Sequence, residues 1–317
     1  MKKIVVLGGG TGLSVLLRGL KQFPLDITAI VTIADDGSSS GRLREEFDIF
    51  AVGDLRNVLV SLSEVEPLIE DLLQYRFVTD SSLNNHPMGN LLLTALYNIT
   101  GNLTESLRSL SKIFNIKGTI LPFTEENPVL IAHTTDGKII EGESNITKAG
   151  KEIDYIEYKN EVKPTKEVIK AIDEADLIIF GIGSLYTSII PNLLSKEVVE
   201  SLKNSKAKKM YVCNIMSEHG ETDNYKVSDC IKKINSYVKE DLMDVVVVNN
   251  KKVPDDIKER YLGEIAGQID IDYDVLNDMN VEIIEDELLY ISEKKKVRHD
   301  PYRTALAIFN YIVKELK

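Results

Sequence analysis

The residues best suited to chemistry stand where short apolar runs end. Gly8-Gly9-Gly10-Thr11-Gly12 follows the run Ile4 to Leu7 and precedes Leu13, Leu16, Leu17 and Leu20, which fall on one face of a helix. Glycines at such a passage let backbone N–H groups approach a ligand with no Cβ in the way, and the helix start adds unpaired donors and a positive dipole end. Gly9, Gly10, Thr11 and Gly12 are therefore candidate phosphate ligands. The dinucleotide fingerprint is met only in part, because Leu13, Ser14 and Val15 follow with no third glycine, and no Gly-Lys-Ser/Thr follows to make a P-loop. A tight turn without a ligand is the other reading of the same residues.

A second polar stretch, Asp35-Asp36-Gly37-Ser38-Ser39-Ser40-Gly41-Arg42, ends the apolar run Ile27 to Ile33. An acidic residue about 20 positions after a glycine turn is where a Rossmann-like domain holds a ribose hydroxyl. The paired Asp35 and Asp36 suit ribose or Mg²⁺. Gly37, Ser38, Ser39 and Arg42 offer N–H, O–H and guanidinium donors to phosphate oxygens. A plain surface turn has the same composition.

Further along, Gly53-Asp54-Leu55-Arg56-Asn57 reads as a helix start with Asp54 as N-cap, which puts Arg56 and Asn57 in the first turn. A cation there opposes the helix dipole, so Arg56 is either ligand-facing or simply solvated. His86-Pro87-Met88-Gly89-Asn90 precedes another helix and sets Asn90 at an anion-facing position, with His86 a loop or capping residue rather than a ligand on the commoner reading. A second glycine turn, Gly181 to Asn192, leaves the run Leu177 to Phe180, and Gly183, Ser184 and Leu185 are expected to aim their amides as the first turn does. Asn214 begins a polar stretch at the end of another run. Lys294 to His299 is the most basic short segment, and it reads as a solvated face or as the source of a cation for a diphosphate, with Arg298 the residue of choice.

The elements that position these groups follow from periodicity. Runs at Ile4, Ile27, Leu177, Lys209, Asp244 and Val281 alternate with helical spacing and predict about six parallel strands, whose C-terminal ends all meet one edge. The expected architecture is α/β, a Rossmann-like three-layer α/β/α arrangement over residues 1–317 as one domain. It includes a helical insertion at about 60–115 and a small antiparallel β excursion at about 118–158, the latter signalled by the hairpin turn Asp136-Gly137. The second glycine turn is expected to enter a helix directly. Asp300-Pro301 is expected to cap a last helix with Ala305, Ile308, Phe309 and Ile312 inward.

Composition sets limits. Fifty acidic against 38 basic residues give a net charge of −12, which argues against a nucleic-acid surface. Cys213 and Cys230 are too far apart for a C-x-x-C pair, and four scattered histidines give no zinc spacing, so reduced structural thiols are expected. No run suits a signal peptide or a membrane span, so a cytoplasmic protein is expected.

Taken together, Gly8 to Gly12, Asp35 to Gly41, Gly53 to Asn57, Gly89-Asn90, Gly181 to Asn192, Asn214 to Thr222 and Arg298 to Asp300 make the chain resemble the gluconeogenesis factor family (YvcK type). That family is a branch of the superfamily that includes 2-phospho-L-lactate transferase. The resemblance spans nearly the whole chain. Ser38 stands where the family usually repeats glycine, and Ile182 where proline is usual. The resemblance implies a Rossmann-like fold with a helical insertion and a cytoplasmic factor needed for cell shape and wall synthesis during gluconeogenic growth. It also implies binding of UDP-N-acetylglucosamine, with Tyr261 and Arg298 as contacts. The transferase relatives instead imply use of the first glycine turn and the paired aspartates with Mg²⁺ and a guanosine diphosphate group.

Two function classes stay open. One is a regulator that binds a nucleotide sugar and acts on a protein partner in cell-wall synthesis, with a homo-oligomer also open. The other is a Mg²⁺-dependent transferase acting on a nucleotide diphosphate. No Ser-His-Asp or Cys-His set is legible, and no cofactor other than Mg²⁺ is implied.

Overall fold

Strand β1 (Lys2–Gly8) runs parallel to β2 (Leu25–Val31), and α1 (Gly10–Leu20) joins them. The structure is a computed structural model describing residues 1–64, 67–263 and 265–316, except the side chains of Ser38 and Leu262. After β2 the chain builds a helical layer from α2 (Ser38–Phe47), α3 (Gly53–Leu62), α4 (Pro67–Gln74), α5 (Met88–Thr100) and α6 (Leu103–Ile113). It returns to the sheet at β3 (Thr119–Pro122). Strands β4 (Leu130–Thr134), β5 (Ile139–Glu141) and β6 (Ile153–Tyr158) form a small antiparallel sheet with β4 in the middle, and α7 (Glu143–Ala149) lies between β5 and β6.

Helix α8 (Lys166–Asp173) leads to β7 (Leu177–Phe180), followed by α9 (Lys196–Asn204), β8 (Lys208–Val212), α10 (Val227–Val238) and β9 (Val245–Asn249). Helices α11 (Asp255–Leu262) and α12 (Tyr273–Asp278) precede β10 (Glu282–Asp286). The hairpin β11 (Leu289–Ile291) and β12 (Val297–His299) precedes the last helix, α13 (Pro301–Glu315). Asp300 caps α13 by accepting the N–H groups of Tyr302 and Arg303.

The main sheet has seven parallel strands in the order β10-β9-β8-β7-β1-β2-β3. Its two faces are both apolar, as the unbroken runs require. Ile4 and Val6 of β1 pack with Leu13, Leu55, Leu107 and Ile308 of α1, α3, α6 and α13. Val5 and Leu7 point the other way, into a core with Val168, Val198 and Ile231 of α8, α9 and α10. The result is a three-layer α/β/α sandwich. Among the described residues no helix is long and apolar enough to cross a membrane.

Three expectations need correction. Residues 119–122, expected within the antiparallel excursion, pair in parallel with β2 and raise the main sheet from about six strands to seven. This strand is only four residues long, and its partner is remote in sequence, so the hairpin signal downstream of it dominated. Asp54 is not the N-cap of α3; Val52 holds that position, and the Asp54 carboxylate accepts the Gly10 N–H of another loop. The second glycine turn enters no regular α-helix. It runs through a π-type turn (Leu185–Ile189) and a 3₁₀ turn (Ile190–Leu193), where Pro191 has no N–H to give to an α-helical ladder.

Candidate functional site

β1 has β2 on one side and β7 on the other, so the chain reverses its direction of travel across the sheet between β7 and β1. At such a switch point the two connections leave in opposite directions and open a crevice at the C-terminal ends of the strands. A cavity of about 660 Å³ occupies this place, and the turns after β1 and β7 both line it.

The two glycine turns touch, and only glycine allows it. A Cβ on Gly12 would lie 2.3 Å from the Ile182 carbonyl oxygen, and one on Gly9 would lie 2.6 Å from Thr32 Oγ1. Gly10 has φ +67°, a left-handed conformation that costs an L side chain about 1–2 kcal/mol. No side chain caps the start of α1. The Gly10 N–H donates instead to Asp54 Oδ2 at 2.6 Å, which leaves the next amides of the first turn toward the cavity. The Ser188 side chain lies within 3.8 Å of the Cβ positions that Gly9, Gly10 and Gly183 lack, and it lines the same cavity.

The second turn is held by a matching device. Glu221 Oε2 accepts the Tyr186 N–H at 3.1 Å and the Ser184 hydroxyl, while Ser184 Oγ accepts the Thr187 N–H at 3.1 Å. Asn214 clasps Gly183 from both sides, its Nδ2 donating to the Gly183 oxygen at 2.8 Å and its Oδ1 accepting the Gly183 N–H at 3.3 Å. The Gly183 amide and the Asn214 side chain therefore serve the loop's shape. Leu185 is buried and does not line the cavity.

Of the residues singled out from the sequence, Gly9, Gly10, Thr11, Gly12, Gly183, Ser184, Asn214, Tyr261 and Arg298 share the cavity. The others gather behind the first turn. Asp35 Oδ1 accepts the Gly37 N–H at 2.9 Å, and Asp36 Oδ1 accepts the Ser144 N–H at 2.8 Å, so Asp36 holds the start of α7. Ser39 Oγ joins His86 Nδ1 (2.8 Å) and Asn90 Nδ2 (3.0 Å) in a buried cluster. Arg56 is buried, with Nη2 on Asn57 Oδ1 at 2.6 Å and Nε without a partner, and burial lowers its pKa to about 10. Ser38 begins α2, and its side chain lies outside the described residues.

Sequence reasoning missed the acidic wall. Glu143, Glu218 and Glu221 line the cavity. Burial, reinforced by Asp35 and Asp54, pushes the Glu143 carboxyl up to about 8; burial and Glu218 push Glu221 to about 7. Asp54, behind the turn, is pushed by burial and Asp35 to about 6, against the opposing pull of the Gly10 N–H and Arg56. Glu218 and Glu221 lie inside a stretch already marked by its place at a strand end, but Glu143 carries no local signal because the excursion brings it in from outside the main sheet. Lys296 and His299 also line the cavity, beside Arg298.

Mg²⁺ can be tested against these groups. Among the described residues no set of three or more His, Cys, Asp or Glu side chains could hold a metal ion. Mg²⁺ commonly takes one or two carboxylates and completes its shell with water and substrate phosphate. Asp35, Asp36 and Asp54 each give one carboxylate oxygen to a backbone N–H, and Asp35 and Asp54, close enough to raise the Asp54 pKa, fit that mode with their other oxygens.

Comparison with known proteins places this geometry. The family profile described as 2-phospho-L-lactate transferase CofD matches residues 4–289. The chain is 46% identical over 304 residues to the Gluconeogenesis factor of Bacillus subtilis, covering 96% of each chain. It is 45% identical over 308 residues to the Gluconeogenesis factor of Halalkalibacterium halodurans, covering 97% of this chain and 95% of that one. A crystal structure of a Bacillus halodurans protein matches with TM-score 0.93 and 45% identity over 97% of this chain and 99% of that chain.

Proposed function

The chain belongs to the CofD family, and within it we propose a gluconeogenesis factor that binds UDP-N-acetylglucosamine and regulates a protein partner in cell-wall synthesis and cell shape. One observation carries the reading: two touching glycine turns at the switch point border a single cavity that Lys296 and Arg298 also line. The start of α1 and two cations lining one crevice suit a diphosphate, from which a nucleoside and a sugar would extend. The acidic wall at Glu143 and Glu218 offers acceptors to sugar hydroxyls.

A second reading, a Mg²⁺-dependent transferase acting on a nucleotide diphosphate, is favoured by the family match and by Asp35 and Asp54 behind the first turn. When bound there, Mg²⁺ would neutralise diphosphate charge. The chain's own groups would orient the ligand through the amides after Gly10 and the Arg298 guanidinium.

Titration calorimetry with UDP-N-acetylglucosamine, with and without Mg²⁺, tests both. The regulator reading expects one ligand per chain with no turnover, and mass spectrometry of the natively purified protein should find a nucleotide sugar. Mg²⁺-dependent product formation that Asp35→Asn abolishes would replace it with the transferase. No binding in either condition would overturn the ligand assignment.

A further inference from the structure

His299 ends β12, is 4% exposed and lines the cavity. Its Nε2 lies 3.1 Å from the backbone oxygen of Cys213 at the end of β8. A carbonyl oxygen can only accept, so Nε2 carries the ring proton and Nδ1 carries a lone pair. Among the described residues none donates to Nδ1. Burial holds the imidazole pKa down at about 4, so the ring stays neutral and Nδ1 stays an acceptor at physiological pH.

The surroundings of His299 differ from the rest of the cavity. Ile215 and Val297 are buried in a small apolar cluster with Met216 and Tyr261, and all four line this wall. The Tyr261 hydroxyl accepts the Val297 N–H at 2.9 Å, which leaves its own proton to donate. Arg298 and Lys296 can only donate. A flat heterocycle is the part of a nucleotide that an apolar wall with one tyrosine accommodates.

We propose that His299 Nδ1 accepts a hydrogen bond from a ring N–H of the ligand's base, so that the cavity selects bases with an imide or lactam N–H, uracil and guanine, over cytosine and adenine. In the latter two the corresponding ring nitrogen carries a lone pair and would face the lone pair of Nδ1. This rests on the reading of the site as a nucleotide site, and it assigns the base-reading residue within it. A site built to accept a ligand N–H rejects the analogue that lacks it, because a buried polar group is then left unpaired.

Calorimetry of the full chain with UDP, GDP, CDP, ADP and N3-methylated UDP tests the assignment. UDP or GDP should bind about five- to tenfold or more tighter than CDP and ADP, N3-methylation should remove the same advantage from UDP, and His299→Gln should erase the discrimination. Glutamine keeps an N–H for the Cys213 carbonyl, which guards the fold. If His299→Gln fails to fold, the methylated and CDP arms on the parent protein decide. Equal binding of CDP and UDP, or discrimination that survives His299→Gln, overturns the assignment while leaving the nucleotide site standing; no binding of any of the nucleotides overturns the nucleotide reading itself. Independently of ligand, the ¹⁵N spectrum of His299 at neutral pH should report the tautomer protonated at Nε2, and a proton on Nδ1 would sink the proposal.

Discussion

Asp54 Oδ2 accepts the Gly10 N–H at 2.6 Å across two elements 44 residues apart in sequence, and this bond ties the start of α3 to the first glycine turn. Asp54→Ala should leave that amide without its partner and cost about 1–3 kcal/mol. Asp54→Asn keeps an acceptor and removes the repulsion from Asp35, so it should be no less stable than the parent at pH 8. Urea denaturation of both variants checks this, and an Asp54→Ala variant as stable as the parent would show that the bond contributes nothing.

The acidic wall sets a pH dependence whose sign can be worked out. Glu143 has a folded pKa near 8, raised above the ordinary carboxyl value of 4.5, so the unfolded chain releases its proton first. Stability from this group is fully present below about pH 4.5 and is lost as pH rises toward 8. Glu143→Gln should flatten the decline of the ligand-free protein between these limits and raise its melting temperature at pH 8. The comparison is of melting curves at pH 5 and pH 8, and an unchanged difference between parent and variant contradicts it.

The glycine turns should fail in different ways. Gly10→Val suffers from φ +67°, since its Cβ would meet nothing nearer than Ser188 Oγ at 3.8 Å; Gly12→Ala drives a Cβ to 2.3 Å from the Ile182 carbonyl oxygen. Gly12→Ala should therefore push the two turns apart and weaken UDP-N-acetylglucosamine by about tenfold or more, even though it adds only a methyl group. Calorimetry on the folded variant measures this, and parental affinity would place the ligand elsewhere.

Arg298 is exposed on β12, and its guanidinium donates to its neighbour's carbonyl, Val297 O, at 2.9 Å. Arg298→Ala should leave the melting temperature nearly unchanged while weakening UDP-N-acetylglucosamine by roughly 10- to 150-fold, the worth of one charge-assisted contact. A variant that melts early would instead make Arg298 structural, and one that binds like the parent would remove it from the site.

The sequence alone determined the layer order, because unbroken apolar runs such as Val5 to Leu7 can be buried only between two helical layers, and it marked the glycine turns, because four glycines beside a hydroxyl have few other uses. It also drew Tyr261 and Arg298 into the site through a family resemblance. Only the tertiary structure decided which of these groups share a cavity. Gly183 N–H and Asn214 satisfy each other, Asp36 holds the Ser144 N–H, and Arg56 and Asn90 lie behind the turn rather than in the cavity lining. Residues such as Glu143 and His299 acquire meaning only through partners far away in sequence: Glu143 through the aspartates that raise its pKa, His299 through the Cys213 carbonyl that fixes its proton. Local pattern records what a segment can bury and where it must turn. Burial, tautomer and charge coupling are properties of distances between segments, and no local pattern carries them.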